Sequence, residues 1–175
     1  MGITSTWGST PSERARAYPC DGLVAPADDS LFRAVDVRAP AATTFRWLCQ
    51  LRVAPYSYDW IDNRGRRSPR ELTPGLEHLE LGQRCCSIFR LVDFARDDHL
   101  TLRSRGPVFG DVVITYRVRP DPAGSRLAVK LLIRYPGPPW GWIARAVLPA
   151  GDLVMMHKQL TNLAGLAEAT TSREG

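Results

Sequence analysis

The chain has 175 residues, 44% hydrophobic and 23% charged, which is one domain's worth of sequence with enough apolar matter for a core and excludes a disordered chain or a long repeat array. Its net charge of +5 is carried almost wholly by arginine, Lys130 and Lys158 being the only lysines, and the 18 acids are scattered among the basic residues; this reads as codon supply, and no nucleic-acid partner is expected. No run approaches the ~18 apolar residues of a membrane helix, and residues 1–29 lack the basic head and apolar run of a secretory signal, so no stable membrane insertion and a cytoplasmic location are expected.

Residues 1–28, rich in Ser, Thr, Gly, Pro and Ala, predict a flexible extension, with a single domain over 29–170 and a tail at 171–175. From Leu31, the residues Leu31, Val35 and Val37 alternate with Phe32, Ala34, Asp36 and Arg38, the period of a strand. Ala39-Pro40 ends it. Proline suits a first helical turn, and Phe45, Leu48 and Cys49, with Trp47 and Leu51 beside them, continue at helical spacing over about 40–51.

Residues 53–82 form the longest irregular stretch, broken by Pro55, Gly65, Pro69, Pro74, Gly75 and Gly82, with a short strand predicted at 58–62. Loops of that length are uncommon unless they bind something or are mobile. Strand-like runs then follow at 84–94, 99–105, 111–119 and 126–135, separated by turn residues, and predict an antiparallel meander. Val112, Ile114, Tyr116 and Val118 oppose Thr115, Arg117 and Arg119, while Leu127, Val129, Leu131, Ile133 and Tyr135 oppose Arg126, Lys130 and Arg134; one sheet face is apolar and the other wet. A last helix is predicted from Asp152, as N-cap, to Glu168, with Leu153, Met156, Leu160, Leu163 and Ala167 as its apolar stripe. The apolar sheet face is the partner that stripe needs. Where the sheet curls away from the helix, beneath the 53–82 loop, a pocket is expected.

The strand-to-helix entry Val35-Asp36-Val37-Arg38-Ala39-Pro40-Ala41-Ala42-Thr43-Thr44-Phe45 and the closing segment from Asp152 to Leu163 resemble the corresponding parts of the SRPBCC superfamily, which includes START domains, Bet v 1-type proteins and polyketide cyclases. The resemblance covers about residues 30–169. It implies an α+β helix-grip (Bet v 1-like) fold, a curved antiparallel sheet wrapped around a long C-terminal helix, and an apolar cavity between the two for a lipid, polyketide or similar molecule. It carries over no catalytic role, because no short catalytic signature spans the superfamily.

Within that frame Tyr116 and Tyr135 are candidates to orient a ligand, and Leu131, Leu153, Met156 and Leu160 to line the same space; ordinary core packing explains each as well. The stretch from Asp59 to Arg70 concentrates Trp60, Asp62 and four arginines. Turned inward, Arg67 or Arg70 would hold a carboxylate, enolate or phosphate and Trp60 would cover a ring; turned outward they are a solvated rim. Asp59 and Asp62 are a candidate acid/base pair, and His157 a candidate proton donor. His78, His99 and His157 are too dispersed for a metal, and Cys20, Cys49, Cys85 and Cys86 lack ligand spacing, so they are read as free thiols and neither metal nor cofactor is expected. No Gly-x-Ser-x-Gly elbow, phosphate-binding loop or dinucleotide fingerprint occurs.

The leading expectation is a monomeric or homodimeric binder of a hydrophobic small molecule. The alternatives are a cofactor-independent polyketide cyclase/aromatase-type enzyme, a dehydratase-like lyase or isomerase using Asp59, Arg67 or His157, and a protein-interaction or stress module presenting the basic loop and exposed tryptophans.

Overall fold

The computed structural model describes residues 3–63 and 65–174. Two short helices, α1 (Ile3–Thr6) and α2 (Pro11–Ala15), precede strand β1 (Asp29–Val37). Helix α3 (Ala41–Cys49), a 3-10 turn (Gln50–Arg52) and the one-turn helix α4 (Asp59–Asp62) follow. Strands β2 (Arg84–Cys85), β3 (Phe89–Ala95), β4 (His99–Gly106), β5 (Gly110–Asp121) and β6 (Gly124–Arg134) form the meander, and α5 (Trp140–Glu174) completes the chain. The six strands make one antiparallel sheet in the order β1-β6-β5-β4-β3-β2. A curved sheet gripping a long C-terminal helix is the expected architecture.

Register explains which residues share the inner face. Leu31 pairs with Leu131, Leu131 with Ile114, Ile114 with Leu102 and Leu102 with Leu91, so one apolar rung crosses five strands. All five are buried. The next rung runs Arg33, Val129, Tyr116, Leu100, and its first member is a charged residue on an otherwise apolar surface. Against this face α5 sets Met156, Leu160, Leu163 and Ala167, and α3 closes one end with Phe45 and Leu48. Thr44 Oγ1 and Ser125 Oγ, 2.8 Å apart, tie α3 to the sheet, and the Trp47 indole N–H donates to Thr170 Oγ1 at 3.0 Å to tie it to α5.

Four local expectations give way to the tertiary structure. The run at 84–94 is two strands, because Cys86 and Ser87 adopt positive φ (46° and 63°) and turn the chain between them. Residues 59–62, expected as strand, make a helical turn whose first residue, Asp59, accepts from the Ser68 backbone N–H (2.9 Å) and hydroxyl. Helix α5 starts at Trp140, passes through Pro149 and runs on through residues expected to be tail, so Asp152 is an interior residue and not the N-cap. Proline forfeits one helical hydrogen bond, yet the helix continues on both sides of it.

The fourth concerns residues 3–28, which are packed where a flexible extension was expected. The Ala34 N–H of edge strand β1 donates to the Trp7 carbonyl at 3.1 Å, covering a backbone edge that would otherwise be open. Further on, Tyr18, Cys20 and Val24 bury Phe32, Val113 and Leu132 on the outer sheet face, so that face is in part a second small core. Arg126 donates to Glu13 at 2.8 Å and to the Gly8 carbonyl, fastening the same segment from the β6 side.

Candidate functional site

A line of polar groups crosses the otherwise apolar seam between sheet and α5. Arg33, 1% exposed, donates from one guanidinium nitrogen to Asp152 Oδ2 at 2.8 Å and from another to the Phe32 carbonyl at 2.8 Å. One rung neighbour away, the Tyr116 hydroxyl donates to Gln159 Oε1 at 2.7 Å, and the Gln159 amide donates to the Pro55 carbonyl at 2.6 Å. Asn162, one turn on, donates to the Tyr56 carbonyl at 2.8 Å. Three side chains of α5 therefore reach a strand on one side and the 53–82 loop on the other.

Burial holds the Asp152 carboxyl up at about 6, against an ordinary 3.8, although Arg33 pulls it down; burial also lowers the Arg33 guanidinium, which stays a cation regardless. A carboxyl with a higher pKa folded than unfolded binds its proton more tightly in the native state. Its contribution is complete below pH ~4 and lost as pH rises through about 6, a difference of roughly 3 kcal/mol for a shift of about two units. Asp28 and Glu168, held below their usual values by the backbone amides of Tyr135 and Arg38, and Asp111, held down by the Arg103 guanidinium, act oppositely and lose stability only as pH falls below their ordinary range. The melting temperature is accordingly expected to rise between pH 7 and pH ~5, and calorimetry should find that slope flattened in Asp152→Asn; equal slopes in the two proteins would refute the assignment.

The residues singled out in the sequence fall in several separate places. Tyr116, Leu131, Met156 and Leu160 sit in one buried cluster, Leu153 is half-buried outside it, and none of them lines either cavity described below. Tyr135 donates its hydroxyl to Asp29 at 2.5 Å beneath the Arg145 guanidinium, so it fastens the sheet's end. Trp60 and Arg67 are exposed and line neither cavity, and the His157 ring meets that of Trp7 at a tilt of 59° with centroids 4.5 Å apart. Arg64 lies outside the described residues, as does the side chain of Asp62, and Asp59 is engaged by Ser68.

Asp59 and Arg70 are brought together at a cavity of about 410 Å³ beneath the 53–82 loop. Its other wall is the face of α5 turned away from the sheet, from Thr161 to Arg173. The pocket was expected between sheet and helix; this cavity lies beneath the loop but on the face of the helix opposite that seam. Pro69, Leu166 and Ala169 give it apolar surface, Arg70 and Arg173 positive charge, and Tyr56 and Asn162 hydrogen-bonding groups. Tyr56 is 2% exposed, held at φ 57° with its ring edge-on to Trp47, and its hydroxyl has no hydrogen-bond partner among the described residues. Burial raises that hydroxyl's pKa to about 12, so it remains a donor.

A second cavity, about 590 Å³, lies on the outer sheet face against the N-terminal segment. It is walled by Arg117, Arg119 and Arg126 with Glu13, Asp36 and Asp121, largely an ion-paired surface. No group of three or more His, Cys, Asp or Glu side chains suited to a metal occurs among the described residues.

Sequence reasoning missed Arg33, Gln159, Asn162, Tyr56 and Arg173. For the first two a signal exists: Arg33 occupies the apolar parity of Leu31, Val35 and Val37, and Gln159 falls on the helical face of Met156 and Leu163. A polar residue at a core position implies a buried partner. Nothing local marks Tyr56 or Arg173.

No protein-family profile matches the chain, and no curated protein is significantly similar to it. Solved structures are. A protein of unknown function from Staphylococcus aureus is similar over 82% of this chain and 95% of its own, at 8% identity and a TM-score of 0.53. Ara h 8.0201 covers 80% of this chain and 97% of its own at 9% identity and 0.50. The di-domain ARO/CYC StfQ from the steffimycin biosynthetic pathway is similar over 82% of this chain and 51% of its own, at 10% identity and 0.51. At such identities the likeness is one of fold.

Proposed function

Because the chain has the helix-grip fold of the SRPBCC superfamily, we propose that it binds a small molecule with an apolar body and an anionic or carbonyl group, held between the 53–82 loop and α5. The observation that carries this reading is the loop cavity itself. Its volume, about 410 Å³, is within the range of small-molecule sites, and it combines apolar surface with a few convergent polar groups. Arg70 and Arg173 supply charge-assisted hydrogen bonds to an acidic or carbonyl oxygen, and Tyr56 supplies a buried hydroxyl for which a ligand oxygen is a partner.

The test uses anilinonaphthalene sulfonate, an aromatic anion whose fluorescence reports transfer to an apolar site, with native mass spectrometry of the gently purified protein for any retained molecule. Gly165 lines the cavity, and a Cβ built on it meets nothing within 4 Å, so Gly165→Leu fills the space while gaining about 0.5–1 kcal/mol of helix propensity. Binding is expected to vanish in Gly165→Leu and to weaken roughly five- to tenfold in Arg70→Ala. Unchanged binding by a folded Gly165→Leu protein would place the ligand elsewhere.

The cyclase/aromatase-type alternative draws on Asp152, whose carboxyl titrates near 6, and on Arg33 and Tyr116 beside it. None of the three lines the loop cavity, so binding is the better supported of the two.

A further inference from the structure

The first four turns of α5 carry an apolar stripe that faces away from the protein. Gly141 and Ala144 are buried, and Leu148 is half-buried, on the side toward the sheet. Trp140, Ile143, Val147 and Val154 follow at intervals of three, four and seven on the other side, with Ala150 between the last two, and Trp142 widens the stripe to roughly half the helix circumference. These five large side chains are between 54% and 70% exposed. Leaving so much contiguous apolar surface in water on one element marks a contact site.

The same end of the molecule presents the β4–β5 hairpin tip. Gly110 packs so tightly on the chain leading into α5 that a Cβ there would lie 2.1 Å from the Arg134 carbonyl oxygen and 3.0 Å from Pro136 N. Val108 and Phe109, both exposed, therefore stand next to the start of the stripe. Along this surface arginines outnumber carboxylates. Residues 134–151 include Arg134 and Arg145 and no acid, and residues 102–110 include Arg103 and Arg105 and no acid. The nearest carboxylates, Asp111, Asp28, Asp29 and Asp152, are already engaged, the first by Arg103 and Arg105, the second by Arg145, the third by the Tyr135 hydroxyl and the last by Arg33.

We propose that this end, the α5 stripe with the β4–β5 tip, docks on the surface of an anionic phospholipid bilayer. An amphipathic helix with tryptophans on its apolar face and arginines at its margins lies in the headgroup boundary, apolar side down, and gains both from burial of that side and from attraction to acidic lipids. Its two exposed indoles suit a fluid interface, and the excess of arginines over carboxylates along it complements a negative surface. No described helix is long and apolar enough to cross a membrane, so the attachment is peripheral and reversible. The proposal is independent of the loop cavity, which lies on α5 from Thr161 onward.

The full chain is sedimented with phosphatidylcholine vesicles, with and without phosphatidylglycerol, at low and high salt. Wild type is expected to pellet with the anionic vesicles at low salt and far less with the zwitterionic ones or at high salt. The double substitution Ile143→Asp/Val147→Asp, at exposed positions where circular dichroism should show an unchanged fold, is expected to lower partitioning about tenfold or more, and Trp142→Ala to lower it by a smaller factor. Failure of wild type to bind anionic vesicles overturns the proposal, as does undiminished binding by a folded double variant. It is equally overturned if wild type is a dimer that the double substitution separates while vesicles bind neither protein, for the stripe then pairs with a second copy.

Discussion

Replacing Asp152 by Ala is expected to cost about 3–5 kcal/mol of stability, a fall in melting temperature of roughly 6–20 °C for a chain of this size. The loss follows from what remains. Arg33 is 1% exposed on the inner sheet face, and the substitution takes away the carboxylate it holds there at 2.8 Å. The pair itself is not a source of stability, since the raised carboxyl and lowered guanidinium both register the cost of desolvation. The double variant Arg33→Met/Asp152→Leu is accordingly expected to recover wild-type stability to within ~1 kcal/mol or to exceed it. Urea denaturation of the two single variants and the double gives the coupling directly. A single variant within ~1 kcal/mol of wild type would mean that the guanidinium finds water or another partner when the carboxylate is removed.

Deletion of residues 1–28 is expected to lower stability by at least ~3 kcal/mol and to make the protein prone to aggregate. Tyr18, Cys20 and Val24 are each at most 5% exposed, and burying side chains of this kind contributes ~1.5–3 kcal/mol apiece before the entropy of ordering the segment is set against it. Their removal uncovers Phe32, Val113 and Leu132 and opens the β1 edge that Trp7 caps. Exposed apolar surface beside an unpaired strand edge is an aggregation template. A truncated protein that melts at the wild-type temperature and stays monomeric would show the segment to be a loosely attached extension. The single change Tyr18→Ala tests the same contact on the full chain and is expected to move the melting temperature in the same direction by less.

These effects fall where local pattern was a poor guide. Alternation at 112–118 and 127–135 identified the strands and their inner face correctly, because a sheet with one buried side imposes a period of two that no other structure satisfies. The stripe Met156, Leu160, Leu163, Ala167 likewise located the buried side of the last helix. The helix's start was obscured by Pro149 and Gly151, which end helices when nothing else acts, and the turn at 59–62 by a side-chain bond from Ser68 to Asp59, nine residues away. At the candidate site Asp59 and Arg70 were recognisable from the charged composition of their loop, whereas Arg173, about a hundred residues later, shares their cavity only through the packing of α5.

The order of elements, the apolar inner face and the need for a helix to cover it follow from residue periodicity, which depends on each position's immediate neighbours and so is written into the chain. Which polar residues meet across the seam, which side of α5 carries the cavity and where residues 3–28 lie are decided by contacts between segments separated in sequence, many of them by a hundred residues or more. Arg33 with Asp152, and Lys130 with Asp21, are separated by 119 and 109 positions, and no local pattern encodes a pairing whose energy exists only once both segments have left water together.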